Sequence, residues 1–127
     1  MAKRQAATSQ LLIHEEPLQV LPSLAVAIGL RESMLVQQMH YWLKRRCHER
    51  DGRQWIYNRY EDWQKQFPFW SISTIKRAIQ SLEAQGIITS ANYNNSNIDK
   101  TKWYAINYGK LNELCASSTG QDEPSTG

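Results

Sequence analysis

The stretch SISTIKRAIQSLEAQGIIT, residues 71–89, carries the pattern that decides the fold. Its apolar residues recur at helical spacing on one face: Ile72, Ile75, Ile79 and Leu82. Ser71 is the expected N-cap, because a serine hydroxyl can accept a hydrogen bond from a free backbone N–H. Gly86 is the expected stop, because glycine tolerates the positive φ that commonly ends a helix. Residues 87–89 follow at once and predict a strand.

A second helix is predicted immediately upstream. Its apolar residues also keep helical spacing: Tyr60, Trp63 and Phe67. We expect Asn58 to cap this helix, with Glu61 three residues later, and Pro68 to end it. Only residues 68–70 then separate the two helices, which is the spacing of a helix-turn-helix.

The segment downstream of Gly86 predicts a hairpin. Residues 87–89 and 103–106 are both β-prone, and the polar loop at residues 94–97 lies between them. A helix-turn-helix followed at once by a two-stranded hairpin is a winged helix. We therefore expect an α+β, mainly helical fold, a winged helix-turn-helix with a C-terminal β-hairpin wing.

The region upstream of the helix-turn-helix predicts further elements. Residues 23–28 favour a short helix and residues 31–46 a longer one. Asp51-Gly52 predicts a turn, and residues 55–57 predict a short strand. The expected organisation is a flexible N-terminal tail at 1–9, one winged-helix domain at 10–115, and a polar C-terminal tail or linker at 116–127.

The distribution of charge favours an anionic partner more strongly than the total does. The net charge of the 127 residues is +3. Between Lys44 and Arg77, however, nine basic residues stand against four acidic ones, a net charge of +5. Basic residues concentrated around a helix-turn-helix favour an anionic partner, either nucleic acid or an acidic protein.

Four strings carry a resemblance to a known family: LPSLAVAIGL, VQQMHYWL, GRQWIYNRYEDWQKQFPFWSISTIKRAIQSLEAQGII and TKWYAINY. In order and spacing, residues 12–108 resemble the N-terminal winged-helix domain of phage and plasmid replication proteins, the replisome-organiser and DnaD-like group. The resemblance implies binding to double-stranded DNA at an origin or replication fork and help in assembling a primosome. It also implies self-association and contact with a replicative helicase or its loader.

The predicted DNA contacts lie on the second helix and the wing. At about 100° per residue, Ser73, Arg77 and Gln80 point away from the apolar face, and Lys76 flanks them. Arg77 suits a guanine edge because a guanidinium can bind O6 and N7 together, whereas Lys76 suits a phosphate. The alternative is a solvated helix face with ordinary hairpin lysines. The predicted DNA-binding residues are Ser71, Ser73, Thr74, Lys76, Arg77, Gln80, Lys100 and Lys102.

A second basic surface is predicted around the end of the long helix. Its residues are Lys44, Arg45, Arg46, Arg50 and Arg53. They suit phosphates or an acidic partner, and the alternative is a solvated helix end. Trp42 and Trp63 occupy apolar stripes and are expected in the core, whereas Phe69 and Trp70 could face a partner.

No pattern in the sequence predicts catalysis. His14, His40 and His48 lack metal-ligand spacing and a neighbouring carboxylate pattern, so neither a catalytic nor a metal site is expected. No glycine-rich phosphate loop appears, and no cofactor is expected. Cys47 and Cys115 lie far apart with no CxxC spacing, which favours a reducing cytoplasm. No apolar run approaches the roughly 20 residues of a membrane span, so no membrane partner is expected.

These observations predict a cytoplasmic protein that binds double-stranded DNA and is not an enzyme. The resemblance implies replication initiation and primosome assembly in a phage, plasmid or other mobile element. One alternative is a transcriptional or copy-number repressor, which would use the same residues on an operator. A second alternative is a protein-interaction winged helix that does not bind DNA.

Overall fold

The structure, a computed structural model, describes residues 17–94 and 101–122. These residues form an α+β, mostly helical fold with five helices and one four-stranded antiparallel sheet, which confirms the predicted class. The helices are α1 (Pro22–Ile28), α2 (Leu30–Arg45), α3 (Tyr60–Gln66), α4 (Ile72–Ala84) and α5 (Tyr108–Asp122). The strands are β1 (His48–Arg50), β2 (Arg53–Asn58), β3 (Ile88–Ala91) and β4 (Lys102–Ile106).

The strands lie side by side in the order β1-β2-β4-β3, and each neighbouring pair is antiparallel. The predicted hairpin downstream of Gly86 is confirmed as β3 and β4, in which Ile88 lies opposite Ile106. Strand β2 pairs with the other edge of β4, so that Ile56 lies opposite Tyr104. The hairpin is therefore joined to the rest of the fold by the strand that precedes α3.

Strand β1 was not predicted from the sequence. Its three residues are all exposed and polar, so no alternation of apolar and polar residues marks it. Asp51 and Gly52 have φ values of 52° and 75°, and a type I′ hairpin turn requires two such positive values. The predicted turn at these residues is confirmed, and it places Arg50 opposite Arg53.

Helix α4 begins and ends where the sequence predicts. The Ser71 hydroxyl oxygen accepts the backbone N–H of Thr74 at 3.1 Å. Gly86 has a φ of 78°, and the N–H of Ile87 donates to the Leu82 carbonyl at 3.0 Å, which forms a Schellman motif. This sharp stop directs the β3–β4 hairpin back beside α4.

The predicted cap of α3 is wrong. Asn58 is the last residue of β2, where it is buried and paired with Lys102, so it does not begin the helix. Arg59 occupies the N-cap position instead, and its backbone N–H donates to a carboxylate oxygen of Asp62 at 3.0 Å. Strand pairing thus shifts the helix start by one residue. The helix ends before Pro68, as expected.

The main core lies between the sheet and helices α2, α3 and α4. Trp63 is fully buried as predicted, and its ring meets that of Tyr104 edge to face with centroids 5.9 Å apart. Burial raises the pKa of the Tyr104 hydroxyl. Trp42 is half-buried and packs against the core. A second cluster covers the opposite face of the sheet and consists of Trp55, Trp103 and Ala105.

Helix α5 follows β4 and contacts α1. Leu111, Leu114 and Cys115, at i, i+3 and i+4, pack against the main core. The predicted boundary between residues 115 and 116 falls inside this helix, whereas the boundary between residues 9 and 10 lies outside the described residues. Helical spacing is confined to these three apolar residues, and the polar segment after Cys115 gives no periodicity, so the sequence does not predict a helix of this length.

Candidate nucleic-acid interface

The outer side of α4, here called the α4 face, is the predicted DNA-contact surface. Its exposed side chains are Ser73, Lys76, Arg77, Gln80 and Ala84. On the opposite side of the helix, Ile75 and Ile79 are fully buried. Lys76 and Arg77 form no salt bridge within residues 17–94 and 101–122, so both charges are available to an external anion.

Two hydroxyls predicted to contact DNA are used by the helix itself. In addition to accepting the Thr74 N–H, the Ser71 hydroxyl donates to the Thr74 hydroxyl oxygen at 3.1 Å. Thr74 is half-buried, whereas Ser71 is exposed. Both residues therefore fix the start of α4, and a DNA contact from either one stays a prediction.

Tyr60 joins α3, α4 and the hairpin at one point. The Lys76 ammonium lies 5.1 Å from the centroid of the Tyr60 ring, a cation–π distance. The Lys102 ammonium lies 3.5 Å from the Tyr60 hydroxyl oxygen. Both lysines thus converge on one ring at the edge of the α4 face.

Lys102 is held between the hairpin and α4. Its ammonium lies 3.6 Å from the Glu83 carboxylate, and the two side chains are 34% and 31% exposed. The same carboxylate accepts the Ser90 hydroxyl of β3. This pair offsets the lysine charge, so the DNA contact predicted for Lys102 would have to compete with Glu83. Lys100 lies outside the described residues.

The predicted second basic surface divides between two elements. At the end of α2, the Arg45 guanidinium lies 3.7 Å from the centroid of the Tyr41 ring, and the Arg46 guanidinium lies 4.7 Å from that of Trp42. Lys44 is exposed beside them. These stacked guanidiniums are held in position and remain open to solvent.

The other two arginines of that surface lie at the β1–β2 hairpin. The Arg50 guanidinium lies 5.5 Å from the Trp103 ring centroid, and Arg53 donates to the Thr89 hydroxyl at 3.3 Å. Arg53 borders a cavity of about 300 Å³ that Arg46 does not touch. Arg46 instead borders a different cavity, between the end of α2, β2 and α3.

A concave groove of about 670 Å³ lies between the end of α2, strand β2 and α3, and is here called the β2–α3 groove. Its charged and ring-bearing lining residues include Arg46, His48, Tyr57, Arg59, Asp62 and Lys65. Sequence reasoning placed only Arg46 in a candidate surface. Arg59, Asp62 and Lys65 follow one another at three-residue spacing at the start of α3 and along it. His48 and Tyr57 come from β1 and β2, and no spacing along the chain connects these strand residues with the helix.

The two aromatic residues between α3 and α4 have different environments. Phe69 is 60% exposed. Trp70 is half-buried and stacks on Phe67, with ring centroids 4.8 Å apart and planes 19° apart. Trp70 therefore belongs to the packing of the turn, and Phe69 remains open to a partner.

The described part of the chain contains neither a cluster of metal-ligand side chains nor a helix able to span a membrane. Residues 17–94 and 101–122 contain no group of three His, Cys, Asp or Glu side chains able to hold a metal ion. Cys47 and Cys115 are both free thiols. None of the helices formed by these residues has the length and apolar character needed to cross a membrane.

Comparisons of the chain with protein-family models, curated proteins and solved structures found no match. The resemblance to replication proteins rests on the sequence motifs alone.

Proposed function

We propose that this protein is a winged helix-turn-helix that binds double-stranded DNA through the α4 face. The proposal rests on one observation: a capped helix exposes Lys76 and Arg77 beside an antiparallel hairpin. In a helix-turn-helix, the second helix enters the major groove and its outward side chains contact base edges. Helices α3 and α4 correspond to the two helices, and β3–β4 corresponds to the wing.

Arg77 and Gln80 are the residues proposed for base recognition. They lie one turn apart on the exposed side of α4. A guanidinium can bind guanine O6 and N7 together, and a glutamine amide can bind adenine N6 and N7. Lys76, at the edge of the face beside Tyr60, is proposed to contact a phosphate.

The resemblance supports a role in replication initiation and primosome assembly of a phage, plasmid or other mobile element, within the cytoplasm. Replicative helicase or its loader would then be a partner, and self-association would bring several α4 faces to one site. A transcriptional or copy-number repressor would use the same face on an operator. Capture of helicase or loader by the protein would favour replication, whereas binding only beside a promoter would favour repression.

A mobility-shift experiment with random duplex at low salt tests DNA binding itself. We expect a retarded complex whose log affinity falls with log salt by a slope of about −0.9 for each neutralised phosphate. Absence of a complex at low salt would favour the protein-interaction alternative. Selection of bound fragments from a duplex pool would then identify the preferred site.

A further inference from the structure

Two exposed rings lie on one side of the β2–α3 groove. Tyr57 is 45% exposed, and its ring centroid lies 5.0 Å from that of His48 with the planes 30° apart. Both rings also contact buried Trp103, at centroid distances of 4.9 Å for Tyr57 and 5.7 Å for His48. The exposed rings therefore rest on a buried ring that fixes their positions before any ligand arrives.

Three cationic side chains border the same groove: Arg46, Arg59 and Lys65. All three are exposed, and none forms a salt bridge with a carboxylate among the residues the structure describes. Asp62 also lines the groove, but its carboxylate already accepts the N–H that begins α3. The groove thus combines oriented aromatic rings with an excess of positive charge.

Aromatic side chains beside cationic side chains that form no salt bridge suit a single-stranded nucleic acid better than a duplex. The unpaired bases of a single strand expose π faces that can stack on aromatic side chains, while its phosphates follow a basic groove. In a duplex, the bases stack on one another and present only their edges. We infer that the β2–α3 groove binds single-stranded nucleic acid, with a base on Tyr57 and His48 and phosphates on Arg46, Arg59 and Lys65.

This site is separate from the proposed duplex site. None of the residues that line the groove belongs to α4. A duplex on the α4 face and a single strand in the groove would therefore contact different residues. A partly opened duplex presents both ligands together.

The inference can be tested with labelled oligothymidylate and oligouridylate of about 16 nucleotides. Fluorescence anisotropy measures the affinity of the protein for each oligomer. Tyr57→Ala should weaken binding of the single strand about 5- to 100-fold, because it removes a stacking surface. Tyr57→Phe keeps the ring and should retain the affinity. Neither variant should alter binding of a blunt-ended duplex, whereas Arg77→Ala should weaken only the duplex complex.

Lys65→Glu is a second variant, since it changes an exposed side chain and leaves the sheet intact. It should weaken binding of the single strand and lower its salt dependence. Tighter binding of the thymidylate or of the uridylate would identify DNA or RNA as the ligand, and either supports the groove. Failure of the wild-type protein to bind both oligomers, unchanged affinity in Lys65→Glu, or equal losses for Tyr57→Ala and Tyr57→Phe would overturn the inference.

Discussion

At the scale of single residues, Ser71 combines a structural role with a candidate DNA contact. Its hydroxyl accepts the Thr74 N–H at 3.1 Å and so satisfies a backbone donor at the start of α4. We expect Ser71→Ala to lower the free energy of unfolding by about 1 kcal/mol. Ser73→Ala, which changes an exposed serine outside the cap, should have a much smaller effect. Urea denaturation measures both, and equal effects would contradict the role of the cap.

The residues of the candidate site differ in how far the sequence predicts them. Helical periodicity alone places Arg77 and Gln80 on the outer side of α4, and the structure agrees. The pairing of Lys102 with Glu83 depends on the hairpin packing beside α4, a contact between distant parts of the chain. Tyr57 joins the β2–α3 groove for a similar reason, because its neighbours there come from α2, β1 and α3. Local sequence patterns do not predict such contacts between distant parts of the chain.

At the scale of elements, the turn from α4 into the hairpin depends on Gly86. Its φ of 78° is unfavourable for any residue with a Cβ, although the nearest atoms to such a Cβ, on Lys110, would lie at an ordinary distance of 3.7 Å. We expect Gly86→Ala to lower the free energy of unfolding by about 1 to 2 kcal/mol. Gly109→Ala is the control, because Gly109 has no positive φ and its Cβ would meet Asn107 at 3.5 Å. Equal stabilities of the two variants would show that backbone conformation is not the cause.

Elements with a strong apolar period were predictable, and those without one were not. Helix α4 and the β3–β4 hairpin follow directly from alternation, spacing and a glycine stop. Strand β1 is wholly exposed and exists because a type I′ turn folds it onto β2. The later part of α5 has no apolar stripe in the sequence, since its composition resembles a linker. Apolar periodicity alone therefore predicts neither of these two elements.

At the scale of the whole molecule, the apolar side chains exposed on and around α1 support self-association. Val26 is 80% exposed, and Leu21 and Leu30 are 50% and 56% exposed. Burial of such side chains between two copies would remove apolar surface from water. We expect sedimentation to show association that increases with concentration, and Val26→Glu to shift the protein toward monomer. A strict monomer at high micromolar concentration, with and without DNA, would contradict this expectation.

Duplex binding by the α4 face is tested most directly by the affinity of Arg77→Ala for DNA. The variant should lose about 1 to 3 kcal/mol of binding free energy on the preferred site and less on scrambled duplex, because Arg77 is proposed to contact a base edge. The matched control is Arg31→Ala, which removes an exposed arginine on α2 outside both candidate surfaces and should bind as the wild-type protein does. Titration of both duplexes across a salt series measures these affinities. Wild-type affinity of Arg77→Ala for both duplexes would contradict recognition of DNA by α4.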